Sequence, residues 1–389
     1  MGNIAIVVVT YDRLSSLKRL LDCLIKADFD GEEVPLFVSV DKSGNDRTEK
    51  FASTFEWPHG PYKAILHPEN LGLRRHILSC GDLLDTYEAV IVLEDDLTVR
   101  RDFYRYAKAC VKTYDGDPAI AGISLYSFRV NYNTRYPFLP VRNGSDVYLM
   151  HCAMSWGEVW MRDAWRRFRQ WYDTHSEPFG DLAHLPGAIG GWGNNSWLKY
   201  HTRYCIEEGK YFVFPYESLS TNNGDPGTHT GGDGTFFQAE LALPRKGFVL
   251  PPAGDIRVRY DGYFEAEYLA ETLGIPADEL CVDLSGSKLG RVEARYRLTL
   301  ASLPYRQLAS YALSYRPIEM NILMDSQGDA IHLYDTAIPD VPPAAVSKED
   351  VFAYWYGNSY IHYLRFFGIW GASRMLMKTL FRKFKNRLK

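Results

Sequence analysis

Along its first 125 residues the chain alternates short apolar runs with segments whose apolar residues recur at helical spacing. The runs predict strands at residues 4–9, 36–40, 64–66 and 89–93, and the spaced segments predict helices at residues 14–25 and 73–84. Continuously apolar strands are buried on both faces, and intervening helices are the usual connections between parallel strands. We therefore predict an α/β fold with a Rossmann-like, mostly parallel sheet flanked by helices.

The pattern changes twice further along the 389-residue chain. The predicted main domain, residues 1–249, has two halves, 1–125 and 126–249, and the second is less periodic and rich in Trp, Gly and Asn. Residues 250–345 mix short strands and helices between two groups of prolines, which predicts a small α+β accessory region. Residues 346–389 form a tail whose charge differs from that of the rest of the chain.

The formal net charge is −4, but residues 351–389 carry eight Lys or Arg and no Asp or Glu. On a helical wheel that starts at Ser373, one face is apolar and the other is basic. A basic amphipathic helix is typical of segments that lie in a membrane interface, although such a helix can also dock on its own protein. We predict a C-terminal amphipathic helix that associates with an anionic membrane surface, and we expect no nucleic-acid partner.

The six cysteines are scattered and form no Cys-x-x-Cys pair. The apolar run at residues 4–9 follows no basic stretch and is too short for a signal-peptide core, and no other run is long enough to cross a bilayer. We expect reduced thiols in a cytoplasmic protein that is peripherally associated with the inner face of the membrane.

Polar residues follow all four predicted strands. Ligands of parallel α/β sheets bind beyond the carboxyl ends of the strands, so these residues are expected to line a common site. Polar strand ends also occur simply because they meet solvent. The four segments are residues 10–13, 41–43, 67–70 and 94–96.

Glu94, Asp95 and Asp96 form the segment with the clearest chemistry. Three acids after a buried strand repel one another and lose hydration unless a cation is present. In an extended chain Glu94 and Asp96 face one way and Asp95 the other, which would let one acid hold Mg²⁺ or Mn²⁺ while its neighbour binds a ribose hydroxyl. The alternative is a solvated acidic turn or a helix N-terminus.

The first half of the chain resembles the nucleotide-sugar half of GT-A glycosyltransferases at residues 7–13, 38–41, 70–76 and 92–96. It looks similar to bacterial family-2 polysaccharide glycosyltransferases and, more distantly, to the Golgi N-acetylglucosaminyltransferase that initiates complex N-glycans. A looser likeness continues to about residue 240. The resemblance implies a GT-A fold, a nucleotide-sugar donor such as a UDP-sugar, and Mn²⁺ or Mg²⁺ as cofactor.

The resemblance also implies roles for individual residues. The contacts to the base and ribose would come from Arg13, Asp41 and His76, and the donor site is also expected to include Thr10 and Asn70. The ribose and donor sugar would be held by Glu94 and Asp95, and the main metal ligand would be Asp96. For Arg13 and His76 the alternative is a purely structural role.

Two further residues are candidates on chemical grounds. Arg74 lies at the start of the predicted helix after Gly72, where a cation is unfavourable unless an anion is present, and a diphosphate is such an anion. His229, in the glycine-rich loop at residues 224–234, is a candidate metal ligand or diphosphate contact, because imidazole suits Mn²⁺ better than Mg²⁺. The alternatives are a surface arginine and a polar loop histidine.

An inverting reaction needs a catalytic base, and the resemblance places a carboxylate near residues 192–197. The chain has Asn194 and Asn195 there, and an amide cannot act as a base. The candidate replacements are Glu158 and Asp233. Glu158 could equally be an outward-facing helix residue, and Asp233 a turn former between glycines.

The sequence thus predicts a metal-dependent glycosyltransferase that moves a sugar to a saccharide or lipid-linked saccharide in surface-polysaccharide biosynthesis. A sugar-nucleotide pyrophosphorylase is one alternative, but it should have a glycine-rich loop after the first strand, and residues 10–13 contain no glycine. A non-catalytic carbohydrate-binding or scaffold protein on the same fold is the other alternative. The missing acid near Asn195 favours it, and the three acids at residues 94–96 argue against it.

Overall fold

The structure, a computed structural model, describes residues 3–225, 236–357, 364–365, 368–371, 373–374 and 377. Its main feature is a large sheet with helices on both faces. The strands up to residue 260 are β1 (Ile4–Thr10), β2 (Leu36–Val40), β3 (Tyr62–Leu66), β4 (Ala89–Glu94), β5 (Leu97–Val99), β6 (Ile120–Ser124), β7 (Val147–Met150), β8 (Glu158–Met161), β9 (Tyr211–Pro215), β10 (Ser220–Asn222) and β11 (Arg259–Tyr260). The helices are α1 (Leu14–Ile25), α2 (Arg47–Thr54), α3 (Leu73–Cys80), α4 (Phe103–Tyr114), α5 (Arg162–His175), α6 (Gly187–Gly191), α7 (Trp197–Glu207), α8 (Leu269–Leu273), α9 (Met320–Leu323) and α10 (Lys348–Tyr356).

In the described part of the chain, nine strands form the large sheet in the order β11-β7-β9-β6-β8-β4-β1-β2-β3. The strands β3, β2, β1 and β4 are mutually parallel, as the sequence predicts. Beyond them β8 runs antiparallel to both β4 and β6, and β9 is parallel to β6. The prediction of a mostly parallel α/β sheet flanked by helices is therefore confirmed, with antiparallel pairs in its second half.

Neighbouring residues of β1 enter opposite cores. Val7 and Val9 pack in the core that includes residues of α3, α5 and α7, and Ile6 and Val8 pack in the core that includes residues of α1 and α4. This alternation follows from the two-residue period of a strand, and burial on both faces explains why β1 has no polar position before Thr10.

Two local features differ from the predicted elements. The helix predicted at residues 73–84 ends at Cys80 and continues as a 3₁₀ turn at Gly81–Asp85. A side chain at Gly81 would collide with the ring of Trp165, since a Cβ there would lie 2.1 Å from the ring atoms, so the glycine lets α5 pack closely. The helix α2 was not predicted.

Residues 250–345 contain a second sheet of four strands, in the order β12-β13-β15-β14. This α+β content agrees with the predicted accessory region, but β11 pairs with β7 at the edge of the large sheet. The core beneath α3, α5 and α7 also continues into this region. The domain boundaries stay a prediction. The added strands are β12 (Leu280–Asp283), β13 (Tyr296–Thr299), β14 (Tyr305–Tyr311) and β15 (Ile331–Pro339).

The helix α10 begins the tail and packs on the body, where Trp355 stacks on Tyr136 and the Tyr354 hydroxyl donates to the Tyr315 carbonyl at 2.6 Å. Most of the predicted amphipathic helix, from residue 378 onward, lies outside the described residues. Within the described part of the chain, every helix is too short or too polar to cross a membrane.

Candidate functional site

The candidate site lies at the carboxyl ends of β1, β2 and β4. The registers of these strands bring their last residues level, because Val9 is opposite Glu94 and Thr10 is opposite Val40. The polar segments that follow the strands therefore meet along one edge of the sheet, as the sequence predicts.

The three acids do not alternate as they would in an extended chain. The chain turns at Asp95 and Asp96 between β4 and β5, so the predicted extended geometry is wrong at this point. Arg13 instead bridges both acids: its Nη1 donates to Asp96 Oδ2 at 2.9 Å, and its Nη2 donates to Asp95 Oδ1. The Thr10 hydroxyl donates to the second oxygen of Asp95 at 2.6 Å. We call Asp95, Asp96 and the end of β4 the acid turn.

One oxygen of the acid turn has no partner. Asp96 is 8% exposed, and its Oδ1 is buried without a hydrogen bond in the described structure. A buried carboxylate oxygen without a partner is costly, and a cation would satisfy it. In the described residues no three His, Cys, Asp or Glu side chains are grouped to hold a metal. The residues present fit an ion such as Mg²⁺ or Mn²⁺, which takes one or two protein carboxylates and completes its shell with phosphates and water.

Burial perturbs the acids of the turn. Burial raises the pKa of Asp95 to about 6, although Arg13 and Thr10 favour its charged form. Burial and the neighbouring Asp96 together raise the pKa of Glu94 to about 8, against the opposing effects of Arg13 and of a hydrogen bond from Trp197. Clustered carboxyl groups with raised pKa values are typical of functional sites, because their mutual repulsion costs stability that a bound cation can recover.

Glu158 lies on the sheet next to these acids. It opens β8, where it is opposite Val92, so it shares a sheet face with Glu94 two residues further along β4. Glu158 is 1% exposed, and the alternative of an outward-facing helix residue is wrong. The preceding residue, Gly157, has φ of 93°, and a Cβ there would lie 3.1 Å from the Ser220 hydroxyl.

Neither carboxyl oxygen of Glu158 has a hydrogen-bond partner in the described structure. Burial raises the pKa of Glu158 well above its usual value, Glu94 raises it further, and only the neighbouring Trp160 indole favours the charged form. Burial therefore disfavours the ionised form of Glu158, which is the form that a general base needs.

The raised pKa of Glu158 predicts how stability varies with pH. A carboxyl group whose pKa is higher in the folded state stabilises the fold below its unfolded pKa and loses that contribution as the pH rises towards the folded pKa. We expect Glu158→Gln to melt close to the wild-type temperature at pH ~4, below the unfolded pKa of a glutamate, and at a higher temperature than wild type at pH ~9. Thermal unfolding followed by circular dichroism measures this.

The exposed Glu88, at the opposite end of β4, gives a matched control, and Glu88→Gln should follow the wild type at both pH values. If Glu158→Gln melts at or below the wild-type temperature at the higher pH, the carboxyl group is not buried as a protonated acid.

The predicted donor residues on β2 and α3 hold the local backbone. Asp41 accepts hydrogen bonds from the backbone N–H groups of Leu71 and Gly72, at 2.8 and 3.0 Å, and so fixes the start of α3. Asn70 donates to the Lys42 carbonyl at 2.9 Å. The Lys42 N–H also donates to Asp41, at 3.0 Å, so three of the about four acceptor positions of this carboxylate are used and one remains for a ligand.

His76 and Arg74 are also engaged within the protein. His76 is 3% exposed and hydrogen-bonds the Ser39 hydroxyl at 2.8 Å, and burial lowers its pKa to about 4, which keeps it neutral. Arg74 donates to the Ser176 carbonyl at 3.3 Å and lies over the Tyr200 ring. The donor contacts proposed for these two residues stay predictions.

Two features of the site were not anticipated from sequence. Asn223, the residue after β10, donates from its backbone and from its side chain to the Asp96 carbonyl, both at 2.9 Å. These two hydrogen bonds hold the segment after β10 against the acid turn.

The second feature is Lys199. It is buried at the start of α7, and its ammonium group donates to the carbonyls of Phe179, Gly190 and Trp192. It thereby holds the loop that carries Asn194 and leads into Trp197, whose side chain hydrogen-bonds Glu94. His229 and Asp233 lie outside the described residues.

No protein-family model matches the chain, and no curated protein matches it in sequence. Solved structures that resemble it include the mannosyltransferase PcManGT from Pyrobaculum calidifontis with GDP-Man and Mn²⁺, at 14% identity and a TM-score of 0.39 over 59% of each chain. GalNAc-T7 with UDP, GalNAc and Mn²⁺ is similar at 14% identity and a TM-score of 0.41, over 57% of this chain and 43% of that one.

The S. aureus protein TarS 1-349 in complex with UDP-GlcNAc is similar at 12% identity and a TM-score of 0.33, over 64% of this chain and 60% of that one. All three are GT-A glycosyltransferases. The chain spans less than two thirds of the length of each of these structures. Identities and TM-scores this low do not assign the chain to a family.

Proposed function

We propose that the protein is a metal-dependent glycosyltransferase that moves a sugar from a nucleotide-sugar donor to a saccharide or lipid-linked saccharide in surface-polysaccharide biosynthesis. The observation that carries the proposal is the acid turn, in which Arg13 and Thr10 hold Asp95 and one buried oxygen of Asp96 has no protein partner. The turn lies at the carboxyl ends of parallel strands, where α/β sheets bind nucleotides.

In this proposal each residue of the site has a separate task. Asp96 would hold Mn²⁺ or Mg²⁺ through Oδ1, and such an ion supplies charge stabilisation to a departing diphosphate. Thr10 keeps Asp95 in one orientation through one carboxylate oxygen, so that the other can accept a ribose hydroxyl. Asp41 keeps the loop before α3 in place through the N–H groups of Leu71 and Gly72.

A screen of nucleotide sugars for thermal stabilisation tests the proposal. A ligand that binds only the folded state raises its stability by RT ln(1 + [L]/Kd), so a donor present at about 100 times its Kd adds about 2.7 kcal/mol. We expect one nucleotide sugar, from a set that includes UDP- and GDP-sugars, to raise the melting temperature with Mn²⁺ and not with EDTA. If none does so, the proposal fails.

A non-catalytic carbohydrate-binding protein on this fold is the second candidate. The amides at Asn194 and Asn195 favour it, because residues 192–196 before α7 then offer no carboxylate as a base. Burial also raises the pKa of Glu158 and so disfavours its ionised form. Both candidates predict donor binding, but only an enzyme should hydrolyse the donor slowly in Mn²⁺ and stop in EDTA. Release of the free sugar therefore separates the two.

We also propose that the tail attaches the protein to an anionic membrane. Residues 358–389 carry eight Lys or Arg and no acid. In the described part of the tail, Ile369 is 74% exposed and Trp370 is 89% exposed, which leaves large apolar side chains available to a bilayer interface.

The full chain should therefore co-sediment with vesicles that contain anionic lipid, and much less with neutral vesicles or at high salt. Each cation near such a surface contributes about 1 kcal/mol, and salt screens this attraction. A chain ending at Gly357 keeps α10 and its contact with Tyr136, so it should stay folded and remain in the supernatant. If the full chain does not bind anionic vesicles, the tail instead packs on the rest of the protein or forms contacts between copies of the chain. Removal of the tail should then lower the thermal stability or change the oligomeric mass.

A further inference from the structure

We infer that Arg13 is a built-in counterion of the acid turn, which weakens the binding of a free divalent cation so that the cation binds mainly together with the diphosphate of the donor. This inference rests on the proposed function and deepens it, because it gives Arg13 a task other than contact with the nucleobase of the donor.

The geometry places the guanidinium group directly on the acids. Arg13 bridges Asp95 and Asp96 through two different nitrogens, at 2.9 Å for the Asp96 contact. The side chain of Arg13 is 29% exposed, whereas those of Asp95 and Asp96 are 2% and 11% exposed. The guanidinium is thus more open to solvent than either of the two acids that it bridges.

The charges make Arg13 a competitor of a metal ion. Among the described residues, Arg13 is the basic side chain that forms ion pairs with Asp95 and Asp96. Two ionised aspartates and one arginine carry one net negative charge. A divalent ion added alone leaves an excess of positive charge in a partly buried site, where like charges a few ångströms apart repel strongly.

A diphosphate removes this penalty. It brings at least two negative charges, and a guanidinium can turn from the carboxylates to phosphate oxygens, which suit its fork of donors. The backbone of Arg13 is held between β1 and α1, so only the long side chain has to move. The cation and the diphosphate should therefore each raise the affinity of the protein for the other.

The test measures binding of Mn²⁺ alone to the full chain, from the electron paramagnetic resonance signal of free Mn²⁺. Arg13→Gln should bind Mn²⁺ about tenfold more tightly than wild type, or tighter still, because a unit charge has been removed a few ångströms from the ion. Arg13→Lys keeps the charge but cannot bridge both acids, so its affinity should lie between the two. Circular dichroism checks that the variants are folded. If Arg13→Gln does not fold, the Mn²⁺ affinity of Arg13→Lys relative to wild type tests the inference instead.

Arg19 gives a matched control. It lies on α1, one and a half turns after Arg13, and pairs with Asp225 rather than with the acid turn. Arg19→Gln removes a charge from the same region, and it should change Mn²⁺ affinity by less than about twofold, because the Arg19 charge is paired with Asp225 and forms no ion pair with the acid turn. An equal gain in both Gln variants would mean that general charge, and not the bridge, sets the affinity, and it would overturn the inference.

The outcomes separate this inference from the proposed function. If Mn²⁺ binds wild type in the presence of a nucleotide sugar, but Arg13→Gln binds Mn²⁺ alone no more tightly than wild type, the counterion role is wrong and the proposed function stands. If Mn²⁺ binds neither the wild type nor any variant, with or without nucleotide sugars, the proposed metal-dependent function itself fails, and the counterion role fails with it.

Discussion

Replacing Asp96 with asparagine is expected to abolish Mn²⁺-dependent donor binding and turnover while the protein stays folded. The variant loses the buried carboxylate oxygen that has no protein partner, and a neutral amide is a poor ligand for a hard divalent ion. The fold should survive, because the substitution removes one of three neighbouring acids whose repulsion is relieved in this structure by a single arginine.

Calorimetry of donor binding with Mn²⁺ measures the effect, and thermal unfolding without metal checks the fold. The matched control is Glu88→Gln, which neutralises an exposed acid at the other end of the same strand and should bind the donor as wild type does. Wild-type affinity and turnover in Asp96→Asn would remove the metal site from the proposal, and with it the main chemical reason for proposing sugar transfer.

The first half of the fold is predictable because its central strands, β1 and β4, are buried on both faces. The bounds of β2 and α1 agree with the apolar pattern, and β1 and β4 each extend only one residue past it. A run of apolar residues that ends at a polar group is typical of a buried parallel strand. Ligands bind beyond the carboxyl ends of such strands, so the location of the site could be predicted as well.

The geometry of the acid turn could not be predicted in the same way. A period of two holds only while the chain is extended, and the chain turns directly after Glu94. The bridge from Arg13 depends on the parallel pairing of β1 with β4, which brings residues more than eighty positions apart together. Local pattern carries no information on such a contact.

Glu158 shows why short strands are hard to recognise. Its strand has four residues, and a mixed pattern this short fits a helix as well as a strand. Only the pairing with Val92 on one side and Ser124 on the other makes it a buried central strand. The same reason applies to β11, whose two residues join the edge of the large sheet through β7.

The second large effect concerns the catalytic base. If the reaction inverts and Glu158 is the base, Glu158→Gln should lower turnover by about 10²–10⁴-fold, a typical general-base effect, while donor affinity barely changes. Because burial raises the pKa of Glu158, its ionised fraction grows with pH. The wild-type rate should therefore rise as the pH increases above neutral, and the glutamine variant should lack this rise.

A matched control and a rival variant make this test decisive. Glu319 is also a buried glutamate with one oxygen that lacks a partner, and burial raises its pKa to about 7, but it lies in the accessory region, at the start of α9. Glu319→Gln should keep wild-type turnover, which shows that loss of a buried carboxyl group is not enough to stop the reaction. If Asp233→Asn loses turnover and Glu158→Gln keeps it, Asp233 is the base. If both keep it, neither residue is the base, and the anomeric configuration of the product then shows whether the reaction inverts at all.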